Sequence, residues 1–153
     1  MNTKRWIWAG LAVFVVSQIL EYIIHGIFLA GAYQATAALW RSEEEMRSMA
    51  WMMWLSGLIF SFLFVYIFAK GYENRDIMEG VRFGVLMGVF FSVLMSLGTY
   101  ASMPIAGAIA VGWFVWGVVE ITLLGILTAL IYKPAEAPVA KTAAALEFRF
   151  QLI

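Results

Sequence analysis

The sequence predicts an all-α integral membrane protein, a bundle of four transmembrane helices with almost no soluble structure. Three observations predict it. Hydrophobic residues make up 63% of the 153 and charged residues only 13%, where an ordinary globular domain carries roughly a quarter charged. The mean hydropathy is strongly positive, and a chain this short cannot hide so much apolar surface from water, so its solvent is lipid. Four apolar stretches are each long enough to cross about 30 Å of hydrocarbon, and Gly, Pro and charged residues separate them.

The first span covers Trp6 to Leu29 and is apolar except for Ser17, Gln18, Glu21, Tyr22 and His25. Met1 to Arg5 looks like the basic start of a signal peptide. No small-residue cleavage site follows Phe14–Leu20, however, and the apolar run is too long, so a retained span is expected. Gly26, Gly31 and the Ala-rich stretch to Trp40 carry the chain to the surface, as a continued or a broken helix.

Ser42-Glu43-Glu44-Glu45 has the form of a capping box, in which a Ser oxygen and a Glu three residues on satisfy each other's free N–H groups. Three carboxylates also suit the positive end of a helix dipole. The second helix is therefore expected to start near Glu43, enter lipid near Met49, leave it at Ala69 to Lys70 and be capped by Gly71. Asp76-Ile77-Met78-Glu79 repeats the pattern before a third span, Gly80 to Thr99. Ser102-Met103-Pro104 makes a tight turn, with Pro104 expected in the first turn of the fourth span, where its missing N–H costs nothing. That span runs to Tyr132 and is stopped by Lys133-Pro134.

Orientation follows from Lys and Arg. Lys4, Arg5, Lys70, Arg75, Arg82 and Lys133 lie at one end, and Arg41 and Arg47 at the other among three Glu, so both termini are expected in the cytoplasm. Trp6, Trp8, Tyr72 and Tyr132 would mark the inner boundary, and Tyr33, Trp40, Trp51, Trp54 and Tyr100 the outer one. The transmembrane domain is thus residues 1–133. The tail, 134–153, contains Ala143-Ala144-Ala145-Leu146-Glu147, which resembles vector sequence, so Lys141 to Ile153 is set aside; otherwise it reads as a short surface helix placing Phe148 and Phe150 among the headgroups.

Several function classes drop out. Net charge is zero with no basic block, which argues against nucleic acid as a partner. There is no cysteine, hence no disulfide, thiolate metal site or cysteine nucleophile. A single His cannot ligate heme twice, no Ser–His–Asp set exists, and Gly80 to Gly88 lacks the Lys and the preceding strand of a phosphate loop. No cofactor and no enzymatic activity are expected.

In lipid, close backbone approach and interhelical hydrogen bonds hold helices together. Gly80, Gly84, Gly88, Ser92 and Ser96 recur every four residues and draw one stripe along the third span. It packs either against Gly117, Gly125 and Ala129 of the fourth span, the plainer reading, or against a second copy.

Ionisable groups inside lipid each need a reason. Glu21 and His25 on the first span and Glu120 on the fourth are three such groups. Ser17, Glu21 and His25 share one helix face, with Tyr22 one residue round. No Lys or Arg within a span balances the carboxylates, so they hold protons or gather a cation. Counted at about 1.5 Å per residue, Glu21 lies about 22 Å from the inner boundary and Glu120 about 24 Å from the outer, which in a 30 Å slab separates them axially by about 15 Å. Trp113 and Trp116 would wall a site for an organic cation, or simply anchor the boundary. The plain alternatives are that a protonated Glu only bonds helices together and that His25 is a packing residue rather than a proton carrier. Glu21-xxx-His25 has the spacing of two metal ligands, but Met87, Met95 or Met103 would have to complete the set, so no metal site is expected.

Phe68-Ala69-Lys70-Gly71-Tyr72-Glu73, Met78-Glu79-Gly80-Val81-Arg82-Phe83-Gly84, Leu97-Gly98-Thr99-Tyr100 and Gly112-Trp113-Phe114 resemble stretches of an uncharacterised group of small bacterial four-span inner-membrane proteins. The likeness covers about Trp6 to Lys133 and implies a bacterial inner membrane. In layout the chain is also similar to small multidrug-resistance exporters, dimers of four short helices with a Glu in the first. Here that Glu lies further along and a second Glu stands in the fourth span, so the similarity is one of layout, not kinship.

The expectation is a proton- or cation-coupled carrier of small solutes, acting as a homodimer, with Glu21 and Glu120 titrating and His25 as an outer relay. The alternative is a non-catalytic subunit of a larger membrane complex docking through the Gly80–Ser96 stripe, and a metal-dependent membrane enzyme is a distant third.

Overall fold

A computed structural model describes residues 2–73 and 76–133. Among these, every regular element is helical, and four helices are long and apolar enough to cross a membrane: Thr3–Phe28, Ala50–Lys70, Asp76–Ser102 and Gly107–Ile131. The fold is the four-helix transmembrane bundle that composition predicts. Residues 134–153, including the vector-like Ala143 to Glu147, lie outside the described residues.

Helix α1 (Thr3–Ile23) opens on Asn2, whose side chain accepts from the Arg5 N–H at 3.2 Å. At Ile24–Phe28 the helix widens into a single π-helical turn, in which the Leu29 N–H reaches back to the Ile24 carbonyl at 2.9 Å. Helix α2 (Ala30–Ala35) and a 3-10 turn (Ala37–Leu39) follow. The first span is thus neither simply continued nor simply broken. One extra residue in the turn rotates everything after it, a distortion that often accompanies functional sites.

The capping box forms as expected: the Glu45 N–H bonds Ser42 Oγ at 3.3 Å, and the Ser42 N–H bonds Glu45 Oε2 at 3.0 Å. The helix it starts is short, however. Helix α3 (Glu43–Ser48) ends at Met49, where φ −99° and ψ 2° depart from helical geometry, and α4 (Ala50–Lys70) begins anew. Gly71 caps α4 at φ −98°, without the left-handed turn that would have required glycine.

Helix α5 is Asp76–Ser102 and α6 is Gly107–Ile131. Pro104 therefore lies ahead of α6, not in its first turn. The Ile105 N–H donates to the Met103 carbonyl at 2.8 Å, closing a three-residue γ-turn about Pro104, and Ile105 is buried beneath it. The proline shapes the turn rather than the helix.

All five residues of the small-residue stripe are buried, and the partner is α6. A Cβ on Gly84 would stand 2.6 Å from the Thr122 Cα, and one on Gly80 would stand 2.7 Å from the Ala129 Cβ. Such an approach tolerates no side chain, and it places the stripe inside the chain. Helix α1 packs between α4 and α6. By contrast, α4 and α5 are joined by rings: Phe60–Phe91 at 5.7 Å, Phe64–Phe83 at 4.8 Å and Phe68–Phe83 at 5.3 Å between centroids. With Ala9, Val13, Leu124 and Tyr132 these rings fill the end of the bundle that carries both ends of the domain. Tyr132, expected at a boundary, is 1% exposed and packs edge-on against Phe68 and Tyr72.

Candidate functional site

Between these rings and a second small core of Ile105, Ile109 and Ala110, packed with Tyr33, Trp40 and Trp113, the bundle leaves an opening. A cavity of about 580 Å³ is bounded by Ser17, Gln18, Glu21 and His25 of the first span, Met53, Ser56 and Gly57 of α4, Ser92 and Met95 of α5, and Trp113, Trp116 and Glu120 of α6. Phe60 and Phe91 lie on its wall toward the packed end. Side chains from all four spans converge on it.

Each polar member is placed by its helix. Ser17, Glu21 and His25 follow one another at four-residue spacing, so one face of α1 presents all three. Ser17 is buried and spends its hydroxyl on the Phe14 carbonyl at 2.8 Å. His25 Nε2 lies 3.1 Å from Glu21 Oε2, with about half of the Glu21 side chain exposed. Glu120 is only 8% exposed. Among the described residues no hydrogen bond or ion pair engages its carboxyl, so it does not serve as interhelical glue.

The π turn has a direct consequence here. It leads into α2, whose Tyr33 meets both His25 and Trp113. The Trp113 indole N–H donates to the Tyr33 hydroxyl at 2.6 Å, and that hydroxyl lies 2.5 Å from His25 Nδ1. An indole N–H can only donate. The Tyr33 oxygen therefore accepts from Trp113, and in the neutral His25 tautomer that carries its proton on Nε2 the phenol donates to Nδ1 while Nε2–H donates to Glu21. The result is one directed chain, Trp113 to Tyr33 to His25 to Glu21. Burial holds the Tyr33 phenol above its ordinary pKa, with the Trp113 bond opposing and the Glu21 charge adding, so the tyrosine stays a neutral donor.

Arg5 Nη1 bonds the Ile131 carbonyl at 3.3 Å and joins α1 to α6. Counted from that contact at about 1.5 Å per residue, Glu21 lies about 24 Å along α1 and Glu120 about 16 Å along α6, and both border the one cavity. Helices of 25 to 27 residues exceed the slab, so distances counted from its opposite faces misplace their residues.

Of the side chains singled out from sequence, Ser17, Glu21, His25, Glu120, Trp113 and Trp116 all border this cavity, and Ser92 of the stripe joins them. Trp116 also stacks on Phe28 at 4.6 Å. Tyr22 does not join: it is 71% exposed and is not part of the cavity wall. It lies beside Glu21 in sequence and so on a different helix face. Sequence reasoning missed Tyr33, which looked like a boundary aromatic, and the α4 lining of Met53, Ser56 and Gly57. Among the described residues, no three His, Asp or Glu side chains converge as a metal site would need. Met95 borders the cavity, but Met87 and Met103 do not.

Comparison with known proteins finds no matching family model, no matching curated protein and no matching solved structure.

Proposed function

We propose that this protein is a proton- or cation-coupled carrier of small solutes, not an enzyme, with Glu120 and Glu21 as the groups that exchange a proton for a cation. The observation that carries the proposal is Glu120 itself: buried, free of hydrogen bonds among the described residues, and facing a cavity large enough for a solute. An isolated carboxylate in an apolar interior is costly, so such a group holds a proton or gathers a cation, and exchanging one for the other is coupling. The titratable groups bordering the cavity with it are Glu21 and His25 of the first span; α4 and α5 contribute only Ser, Gly, Phe and Met. The hydrogen-bonded series Tyr33–His25–Glu21 supports the relay role of His25.

We extend the proposal to a homodimer in a bacterial inner membrane with both termini cytoplasmic. The subunit reading, in which the Gly80–Ser96 stripe docks a partner, has less support because α6 already covers that stripe.

The test is flux in proteoliposomes under a pH gradient. Wild-type protein is expected to exchange protons for cationic solute, and Glu120→Gln to abolish the exchange while keeping its helical content. Undiminished exchange in Glu120→Gln would overturn the proposal.

A further inference from the structure

We infer that the cavity binds amphiphilic organic cations, with an ammonium head and an alkyl or aryl body, that enter sideways from the bilayer between α4 and α5. The inference rests on the carrier reading of the same cavity and names its substrate class.

Charge selects the sign. Glu21 and Glu120 border the cavity, no Lys or Arg does, and the one basic side chain, His25, already faces Glu21. An anion entering would meet carboxylates without a counter-charge. The walls select the body. Trp113, Trp116, Phe60 and Phe91 border the site, and aromatic rings attract organic ammonium groups, whose charge is spread and weakly hydrated. Pockets for drug-sized molecules span roughly 300 to 1,000 Å³, and about 580 Å³ falls within that range. A bare metal ion would need converging oxygen or nitrogen donors instead, and the described residues offer no such group of three.

Packing selects the route. Backbones approach one another between α1 and α4, α1 and α6, and most of all α5 and α6, and α4 with α5 is not among these close pairs. Between α4 and α5, Phe60–Phe91 is the ring contact nearest the cavity. Beyond it stand Met53 and Met95, which border the cavity yet are 65% and 61% exposed. Both belong to membrane-spanning helices, Met53 between the boundary residues Trp51 and Trp54, so the gap they flank opens toward the outer leaflet. A molecule with an apolar body concentrates there before it binds.

The experiment titrates the protein in lipid nanodiscs with octyltrimethylammonium, reading intrinsic tryptophan fluorescence. Octanesulfonate supplies the same chain with opposite charge, and tetramethylammonium the same head without the chain. Saturable binding of octyltrimethylammonium is expected, with tetramethylammonium and Glu120→Gln each weaker by about tenfold or more, and octanesulfonate silent. Glu120→Asp, which keeps the charge, retains binding and guards against misfolding as the cause. Equal binding of octanesulfonate, or wild-type affinity in Glu120→Gln, overturns the inference.

For the route, the absence of cysteine makes Met95→Cys a unique attachment point. A bulky maleimide there is expected to slow association in stopped flow by about tenfold, while the same label at Val111→Cys, on the exposed face of α6, leaves it unchanged. An unchanged rate with the Met95→Cys label overturns lateral entry. The two readings fail separately: amine binding without Glu120-dependent proton exchange overturns the carrier and keeps the site, and proton exchange without amine binding does the reverse.

Discussion

The Tyr33 hydroxyl accepts the indole N–H of Trp113 at 2.6 Å across 80 residues of chain, and the same hydroxyl meets His25. One phenol thereby fastens the helix after the first span to the fourth span. Interhelical hydrogen bonds in membranes are worth about 0.6 kcal/mol on average and up to about 1.7 kcal/mol. Tyr33→Phe and Trp113→Phe are each expected to lower stability by about 0.5–2 kcal/mol in mixed-micelle unfolding. In a double-mutant cycle the losses should fall short of additive because both remove one bond; strictly additive losses would show that the bond is not made.

Glycines on α5 are not equivalent. A Cβ at Gly84 meets only backbone, the Thr122 Cα at 2.6 Å and the Ile121 and Thr122 carbonyl oxygens at 2.9 Å. Backbone cannot step aside, so Gly84→Ala is expected to cost about 1–3 kcal/mol. Gly98 has nothing within 4 Å of the same position, and Gly98→Ala is expected to be neutral or to stabilise by up to about 1 kcal/mol through helix propensity. Thermal unfolding of the two variants side by side checks both signs.

Replacing Glu120 separates a site from a brace. No hydrogen bond is lost with it among the described residues, and the cost of holding a carboxyl away from water is relieved. Glu120→Leu and Glu120→Gln are therefore expected to leave stability unchanged or raise it by about 1 kcal/mol, as is common where function opposes stability. A loss of about 2 kcal/mol or more in reversible unfolding would mark Glu120 as a brace after all.

Acid should fray the capped loop before it disturbs the bundle. Hydrogen bonds from the Ser42 backbone and hydroxyl hold the Glu45 carboxyl below the usual carboxylate range. A group whose folded value is depressed stabilises the structure above its unfolded value, and that contribution fades as pH falls through the folded one. Hydrogen exchange at the Ser42 and Glu45 amides is expected to speed up on acidification relative to exchange at α4 amides, and Glu45→Gln, which has no carboxyl to protonate, to remove the difference. An exchange ratio flat with pH would contradict this.

Much of this was legible in the sequence because rare polar or small residues mark a face when everything else is apolar. Ser17, Glu21 and His25 gave away the inner side of α1, and Gly80 to Ser96 that of α5. The α4 lining was not legible: hydrophobic all round, α4 shows no periodicity that says which way Met53 or Phe60 points, since lipid and core favour the same residues. The π turn at Ile24–Phe28 has no local signature either. Only the contacts around it, Tyr33 with Trp113 and Phe28 with Trp116, show Tyr33 to be more than a boundary anchor.

The contrast between the two hairpin contacts has a mechanical consequence. Where α5 meets α6, backbone touches backbone through glycine, and that pair behaves as one stiff strut. Where α4 meets α5, rings meet edge-on or tilted and can slide or tip without breaking a hydrogen bond. A rearrangement that unsealed the packed end would therefore shear along Phe60, Phe64 and Phe68 and leave the glycine seam intact.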